Sequence, residues 1–157
     1  MPTQAEPCTN SLPDACAQVP ISDAEIVELA SAFRYYGVWR ITLDTSLFYG
    51  SPSICRIFDM EFVDGPMNLV ELTARIHPED LPMLMQAFER ISTSGETYHA
   101  IYRVRIGEGR YKFVRTVGRY RKTSQGLGEI IGITYEFFAQ QRTIDFFLDD
   151  GSDEKLR

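Results

Sequence analysis

The alternation of apolar and polar positions along the chain changes character several times, and each change marks an element. Residues 1–20, with Pro2, Pro7, Pro13 and Pro20 among polar neighbours, show no apolar period and read as a flexible leader with no core of its own. Order begins at Ile21. Ser22 followed three residues later by Glu25 has the spacing of a reciprocal helix cap, and Ile21 can staple against Ile26 across it. Ile26, Leu29, Ala30 and Phe33 then recur at i, i+3, i+4 and i+7, which predicts a helix with one apolar stripe, ended by Gly37. Next come two short strands, Val38–Thr42 and Leu47–Tyr49, around a Leu-Asp-Thr-Ser turn. Ile54, Ile57 and Phe58 give a short helix within Ser51–Met60, and a second helical piece, Asn68–Ala74, follows the turn Asp64-Gly65-Pro66.

The clearest helix is LPMLMQAFERIST, where Leu81, Leu84, Met85, Phe88 and Ile91 share a face and Ser94-Gly95 closes it. From Thr97 the period falls to two. Ala100, Tyr102, Val104 and Ile106 occupy one side of a strand and Arg103 and Arg105 the other. Gly107-Glu108-Gly109 turns into a strand over Tyr111–Tyr120, and Ser124-Gln125-Gly126 precedes a last one, Gly128–Phe137. Two strands, a helical middle and three strands outline an α+β domain: one five-stranded antiparallel sheet with helices on one face and a hollow between the layers. The chain then divides into a leader (1–20), an N-terminal cap helix (21–36), one domain (37–137) and an amphipathic, acidic tail (138–157).

Composition changes this picture only by exclusion. At 157 residues the length suits one domain, and 44% hydrophobic with 24% charged residues is the balance of a globule that can bury a real core. A net charge of −6 argues against nucleic acid as a partner, since phosphate backbones attract basic proteins. The charge is uneven. Between Thr97 and Gln125, Arg103, Arg105, Arg110, Lys112, Arg115, Arg119, Arg121 and Lys122 face only Glu108. This basic run reads first as solvent-facing strand positions, with a docking face for an acidic partner as the alternative. The start has neither the basic nor the apolar part of a secretory signal, no run is long enough to span a membrane, and Cys8, Cys16 and Cys55 form no disulfide framework. A cytoplasmic location is expected.

In sequence the chain resembles the PAS family, in particular the members whose first strand reads Gly-Val-Trp, here Gly37-Val38-Trp39, and whose long helix opens with His77-Pro78-Glu79-Asp80. The likeness continues through Gly95-Glu96-x-Tyr98 with Tyr102-Arg103-Val104, through Gly109-x-Tyr111-Lys112-Phe113-Val114, and through Gly128-x-x-x-Gly132, covering about Tyr36 to Phe137. It implies a PAS fold and a sensory or interaction module of the kind joined to histidine kinases and similar output domains. The final strand departs from the family, with Glu136-Phe137-Phe138 where Asp-Ile-Thr is usual. The residues beyond it are too few for a kinase or cyclase domain, so the signal is expected to leave by contact with another protein.

The candidate chemistries fare differently. Cys55-Arg56-Ile57-Phe58 resembles the Asn-Cys-Arg-Phe motif of flavin-binding light sensors, but it stands too early in the chain, so Cys55 reads as a small buried thiol. Only His77 and His99 are available as haem ligands, and neither is well placed. No His or Cys pair has metal-ligand spacing, and no catalytic triad, phosphate loop or dinucleotide fingerprint is present. Phe58, Ile76, Leu84, Phe88, Tyr102, Val104 and Ile133 would line a small-molecule pocket or simply fill the core.

The expectation is therefore a regulatory PAS protein and not an enzyme, acting by protein contact on a signalling partner such as a histidine kinase. No cofactor is expected, although an unknown small ligand has room. Ile26, Leu29 and Phe33 would cover the outer sheet face near Trp39 or pair with a second copy in a homodimer, and Phe138, Ile144, Phe147 and Leu148 would form the partner surface. The alternatives are a ligand- or haem-binding sensor and, after it, a small α+β pocket enzyme with His99 or Glu136 as base.

Overall fold

The computed structural model describes residues 20–32 and 35–137 of the chain. The leader with Cys8 and Cys16, Phe33 of the apolar stripe, and Phe138, Ile144, Phe147 and Leu148 of the tail lie outside the described residues. The chain divides into two compact units, Met1–Ala30 and Ser31–Arg157, and each is taken by itself.

Helix α1 (Asp23–Ser31) begins at the predicted reciprocal cap. The Ser22 amide donates to Glu25 Oε2 at 2.8 Å and the Glu25 amide donates back to Ser22 Oγ at 3.3 Å. The Ser22 amide and, at 2.7 Å, the Ser22 hydroxyl both donate to the Glu25 carboxylate and hold it below its ordinary pKa. No residue of α1 is buried, and Ile26, Val27 and Leu29 are exposed. The helix ends well before Gly37, because Tyr36 and Gly37 are strand residues. Gly37 serves packing instead: a β-carbon there would stand 2.6 Å from the backbone nitrogen of Ile54.

The sheet consists of β1 (Tyr36–Thr42), β2 (Phe48–Gly50), β3 (Thr97–Arg105), β4 (Tyr111–Arg121) and β5 (Glu129–Glu136). The strands are ordered β2-β1-β5-β4-β3 and every pairing is antiparallel. Helices α2 (Pro52–Ile57), α3 (Leu69–Ala74) and α4 (Leu81–Ser94) connect β2 to β3. Each has a local cause. Pro52 occupies the first turn of α2, where its missing N–H costs nothing. Asn68 Oδ1 accepts the Val70 and Glu71 amides at the start of α3. Gly95, at φ 69°, takes the left-handed turn that ends α4.

Period two decides what each strand offers the helices. Trp39 and Ile41 of β1, Tyr98, Ala100, Tyr102 and Val104 of β3, Val114, Thr116 and Gly118 of β4, and Ile130, Gly132 and Thr134 of β5 share the inner face. They meet Ile54, Ile57, Leu72, Leu84 and Ile91 of the helices in one core. Trp39, expected near the outer surface, is only 6% exposed on this inner side, and its neighbour Val38 is the residue that faces outward. Among the described residues no helix is long and apolar enough to cross a membrane.

Both sheet edges are capped. At β2 the Met67 amide donates to the Phe48 carbonyl at 2.7 Å; at β3 the His77 amide donates to the Arg103 carbonyl and the Arg105 amide to the Arg75 carbonyl, at 2.9 and 2.8 Å.

Candidate functional site

Between sheet and helices lies a cavity of about 300 Å³, at the lower end of the range for small-molecule sites. Five of the seven residues proposed from sequence line it: Phe58, Ile76, Leu84, Phe88 and Tyr102. Val104 is fully buried on the same face but packs in the core beside the cavity. Ile133 is on the opposite side of the sheet, because its strand neighbours Gly132 and Thr134 point inward.

Aromatic rings form one wall in sequence. The Phe48 and Trp39 rings stack with centroids 5.5 Å apart and planes 20° apart, Phe88 follows 5.9 Å from Trp39, and Tyr98 follows 5.5 Å from Phe88. The floor is polar. Trp39 Nε1–H donates to Thr134 Oγ1 at 3.0 Å, Thr134 and Thr116 hydroxyls lie 2.6 Å apart, and Thr116 Oγ1–H reaches the Ile133 carbonyl at 3.2 Å. Either threonine hydroxyl can be the donor between the two, and the bonds link the indole through both threonines to the backbone.

The Tyr102 hydroxyl lies against both threonines and the Tyr98 hydroxyl against Thr116. Burial pushes both phenols far above their usual pKa, so they are neutral hydrogen-bonding groups. Among the described residues, Glu89 is the one charged side chain of the lining. Glu89, Met85, Ser92 and Ser46 are the exposed part of the lining, which puts the mouth between α4 and the β1–β2 turn. The site therefore suits a small, uncharged, flat molecule with one polar edge.

The helix-opening motif plays a different part. Asp80 precedes α4 but makes no side-chain cap; its carboxylate turns to β3 instead. It accepts the Arg103 amide at 2.9 Å, Arg103 Nε at 2.9 Å and Arg103 Nη2 at 2.7 Å, while Glu79 takes Nη2 at 3.0 Å. Arg103 holds the Asp80 carboxyl below its ordinary pKa. The start of the cavity's helical wall is thus bolted to the edge strand.

The remaining candidates fall elsewhere. His77 packs its ring 4.6 Å from Tyr111 and accepts the Glu79 amide on Nδ1 at 3.2 Å, outside the cavity. His99 is exposed on the outer sheet face, and Glu136 is bound by Lys112 Nζ at 2.7 Å without lining the cavity. Neither is in position to act as a base there. Cys55 is buried, its thiol pushed up in pKa by that burial. Among the described residues no three metal-ligating side chains cluster. Sequence reading missed Thr116 and Thr134, which carry the polar floor, because isolated threonines in a strand carry no signal of their own.

A search of curated proteins finds no match to the chain. Many solved structures are similar in fold, three of them as follows. The N-terminal domain of a diguanylate cyclase with PAS/PAC sensor from Marinobacter aquaeolei is 23% identical over 64% of this chain and 94% of its own, with a TM-score of 0.55. A sensory box histidine kinase/response regulator from Burkholderia thailandensis is 23% identical over 70% of this chain and 82% of its own, at 0.56. A domain described as that of a light and redox sensing histidine kinase from Haloarcula marismortui is 19% identical over 74% of this chain and all of its own, at 0.59. The family model for the PAS fold matches residues 47–134, from the start of β2 into β5, and so takes in the whole helical wall and the two threonines of the cavity floor, Thr116 and Thr134, while Trp39 precedes it. The chain belongs to the PAS fold family.

Proposed function

We propose that this chain is a sensory module that takes a small, uncharged aromatic molecule into the cavity between helices and sheet and reports occupancy to a signalling protein by contact. The observation that carries the reading is the polar floor: Trp39, Thr134 and Thr116 set a hydrogen-bond chain at the bottom of an otherwise apolar hollow. A hollow meant only as core has no use for such a floor, since each buried polar group must be satisfied at a cost in desolvation. In this reading the chain is a binding module and not a catalyst. A histidine kinase is the partner we favour, on the strength of the kinase-derived domains that share the fold.

Trp39 is the only tryptophan of the chain, so its indole N–H gives one resonance at the floor of the site. Phenol is expected to shift that resonance on titration into the labelled protein, and benzoate, of similar shape but charged, is expected not to. Native mass spectrometry of freshly purified protein adds a second readout, an organic mass excess lost on denaturation. No shift with phenol together with a bare mass would overturn the ligand reading.

A further inference from the structure

The mouth of the cavity carries a charge that the hollow behind it lacks. Along α4 the lining runs from Leu81 and Leu84 through Met85 and Phe88 to Glu89 and Ser92. Met85, Phe88, Glu89 and Ser92 stand at i, i+3, i+4 and i+7, so they share one side of the helix, and that side turns from apolar to polar toward its C-terminal end. No arginine, lysine or histidine of the described residues pairs with the Glu89 carboxylate. Its neighbour Arg90 is held by Glu96 at 2.8 Å instead.

Two hydroxyls join the carboxylate at the opening. Ser92 Oγ donates to the Glu89 carbonyl at 2.8 Å, and its lone pairs are left to accept. Ser46, from the β1–β2 turn, also lines the cavity, and its φ of 55° is a left-handed conformation that a serine adopts only at a cost. One carboxylate and two hydroxyls match in number the three N–H donors of an alkylammonium.

Charge separates ligands that the hollow alone would treat alike. A ring with a carboxylate tail meets Glu89 as a like charge, and a wholly neutral ring leaves Glu89 to water and gains nothing from it. A ring with a cationic tail gains at the mouth without carrying its charge into the apolar interior. A primary alkylamine keeps its proton at pH 7, as lysine does.

We propose that the cavity takes a primary arylalkylamine, its ring in the hollow beside Trp39 and Phe88 and its ammonium at the mouth on Glu89, with Ser46 and Ser92 as further acceptors. Glu89 is thereby the residue that sets specificity. The inference rests on the ligand-sensing reading and narrows it: the part that enters the hollow stays uncharged, and the charge is added outside.

The test follows the Trp39 indole N–H resonance of the full chain during titration with three phenols of one ring and different tails: tyramine (cationic), 4-ethylphenol (neutral) and 3-(4-hydroxyphenyl)propionate (anionic). Glu89→Gln is expected to weaken tyramine by about two- to fivefold, the range of a solvent-exposed ion pair, and to leave 4-ethylphenol unchanged, which also shows that the variant is folded. Raising the salt is expected to weaken tyramine and not 4-ethylphenol. Glu89→Lys is expected to weaken tyramine by about tenfold, as repulsion adds to the lost attraction, and to admit the propionate. Binding of 4-ethylphenol with none of tyramine, or a Glu89→Gln chain that binds tyramine as the parent does, would overturn the amine inference and leave the ligand reading standing. No shift with any of the three, nor with phenol, would overturn both.

Discussion

The indole of Trp39 lies across Gly132 of the neighbouring strand, in the space that any side chain at that position would occupy. Gly118, one strand further, leaves room for the far edge of the same ring, whose Cη2 would be 3.1 Å from a β-carbon there. Two glycines aligned across β4 and β5 thus make a notch that lets the largest side chain of the domain lie flat on the sheet.

Gly132→Ala is expected to cost about 1–3 kcal/mol of stability, the usual penalty of overpacking, because its methyl group would meet Trp39 and the Val117 carbonyl oxygen. Urea denaturation measures it. Trp39 emission is expected to move to longer wavelength in the variant; an unshifted spectrum with full stability would show that the notch is not needed.

Thr134→Val removes the acceptor of the Trp39 N–H at nearly constant volume. An indole N–H left buried without a partner costs about 1–3 kcal/mol, so a loss in that range is expected, together with a weaker response to phenol. Unchanged stability would mean that the indole finds another acceptor.

Asp80 and Glu129 make acid stability depend on their ion pairs with arginine. Their folded-state carboxyl pKa values are lowered, by Arg103 for Asp80 and by Arg121 and then Arg40 for Glu129. Stability from such groups is present above the unfolded carboxyl value, about 4, and is lost as pH falls through the lower folded value. Asp80→Asn is expected to lower the urea midpoint at pH 7 and to flatten the decline below about pH 4. An Asp80→Asn chain with the same acid slope as the parent would refute the Asp80–Arg103 linkage.

On the alkaline side the signs reverse. The Tyr98 and Tyr102 phenols have folded-state pKa values raised by burial, so their contribution is complete below the unfolded value of about 10 and declines as pH rises past it. Tyr102→Phe is expected to reduce that decline. Phenol binding is expected to hold constant between about pH 6 and 9, since both groups keep their protons throughout.

The residues themselves show why much of the fold was legible and part of the site was not. Ser22 and Glu25, or Ala100, Tyr102 and Val104, announce their elements because the interaction or the period is local. Trp39 does not announce its face. Val38 and Trp39 are both apolar, so alternation separates them without saying which one turns inward, and the answer lies in Gly118 and Gly132, far along the chain. Ile133 misleads for the same reason: β5 keeps its small residues, Gly132 and Thr134, inside and sets Ile131 and Ile133 outside. The Asp80–Arg103 bolt joins residues 23 apart, so nothing local to Asp80 announces the strand that it binds.

The capped edges set a rule for how this protein can meet others. Met67 on β2, and Arg75 with His77 on β3, occupy backbone groups that an incoming strand would need. Extension of the sheet by a foreign strand, the route to both peptide augmentation and runaway stacking, is thereby restricted at β2 and along the Arg103–Arg105 half of β3. Recognition is pushed from the rim of the sheet onto its broad surface, where side chains rather than main chain choose the partner.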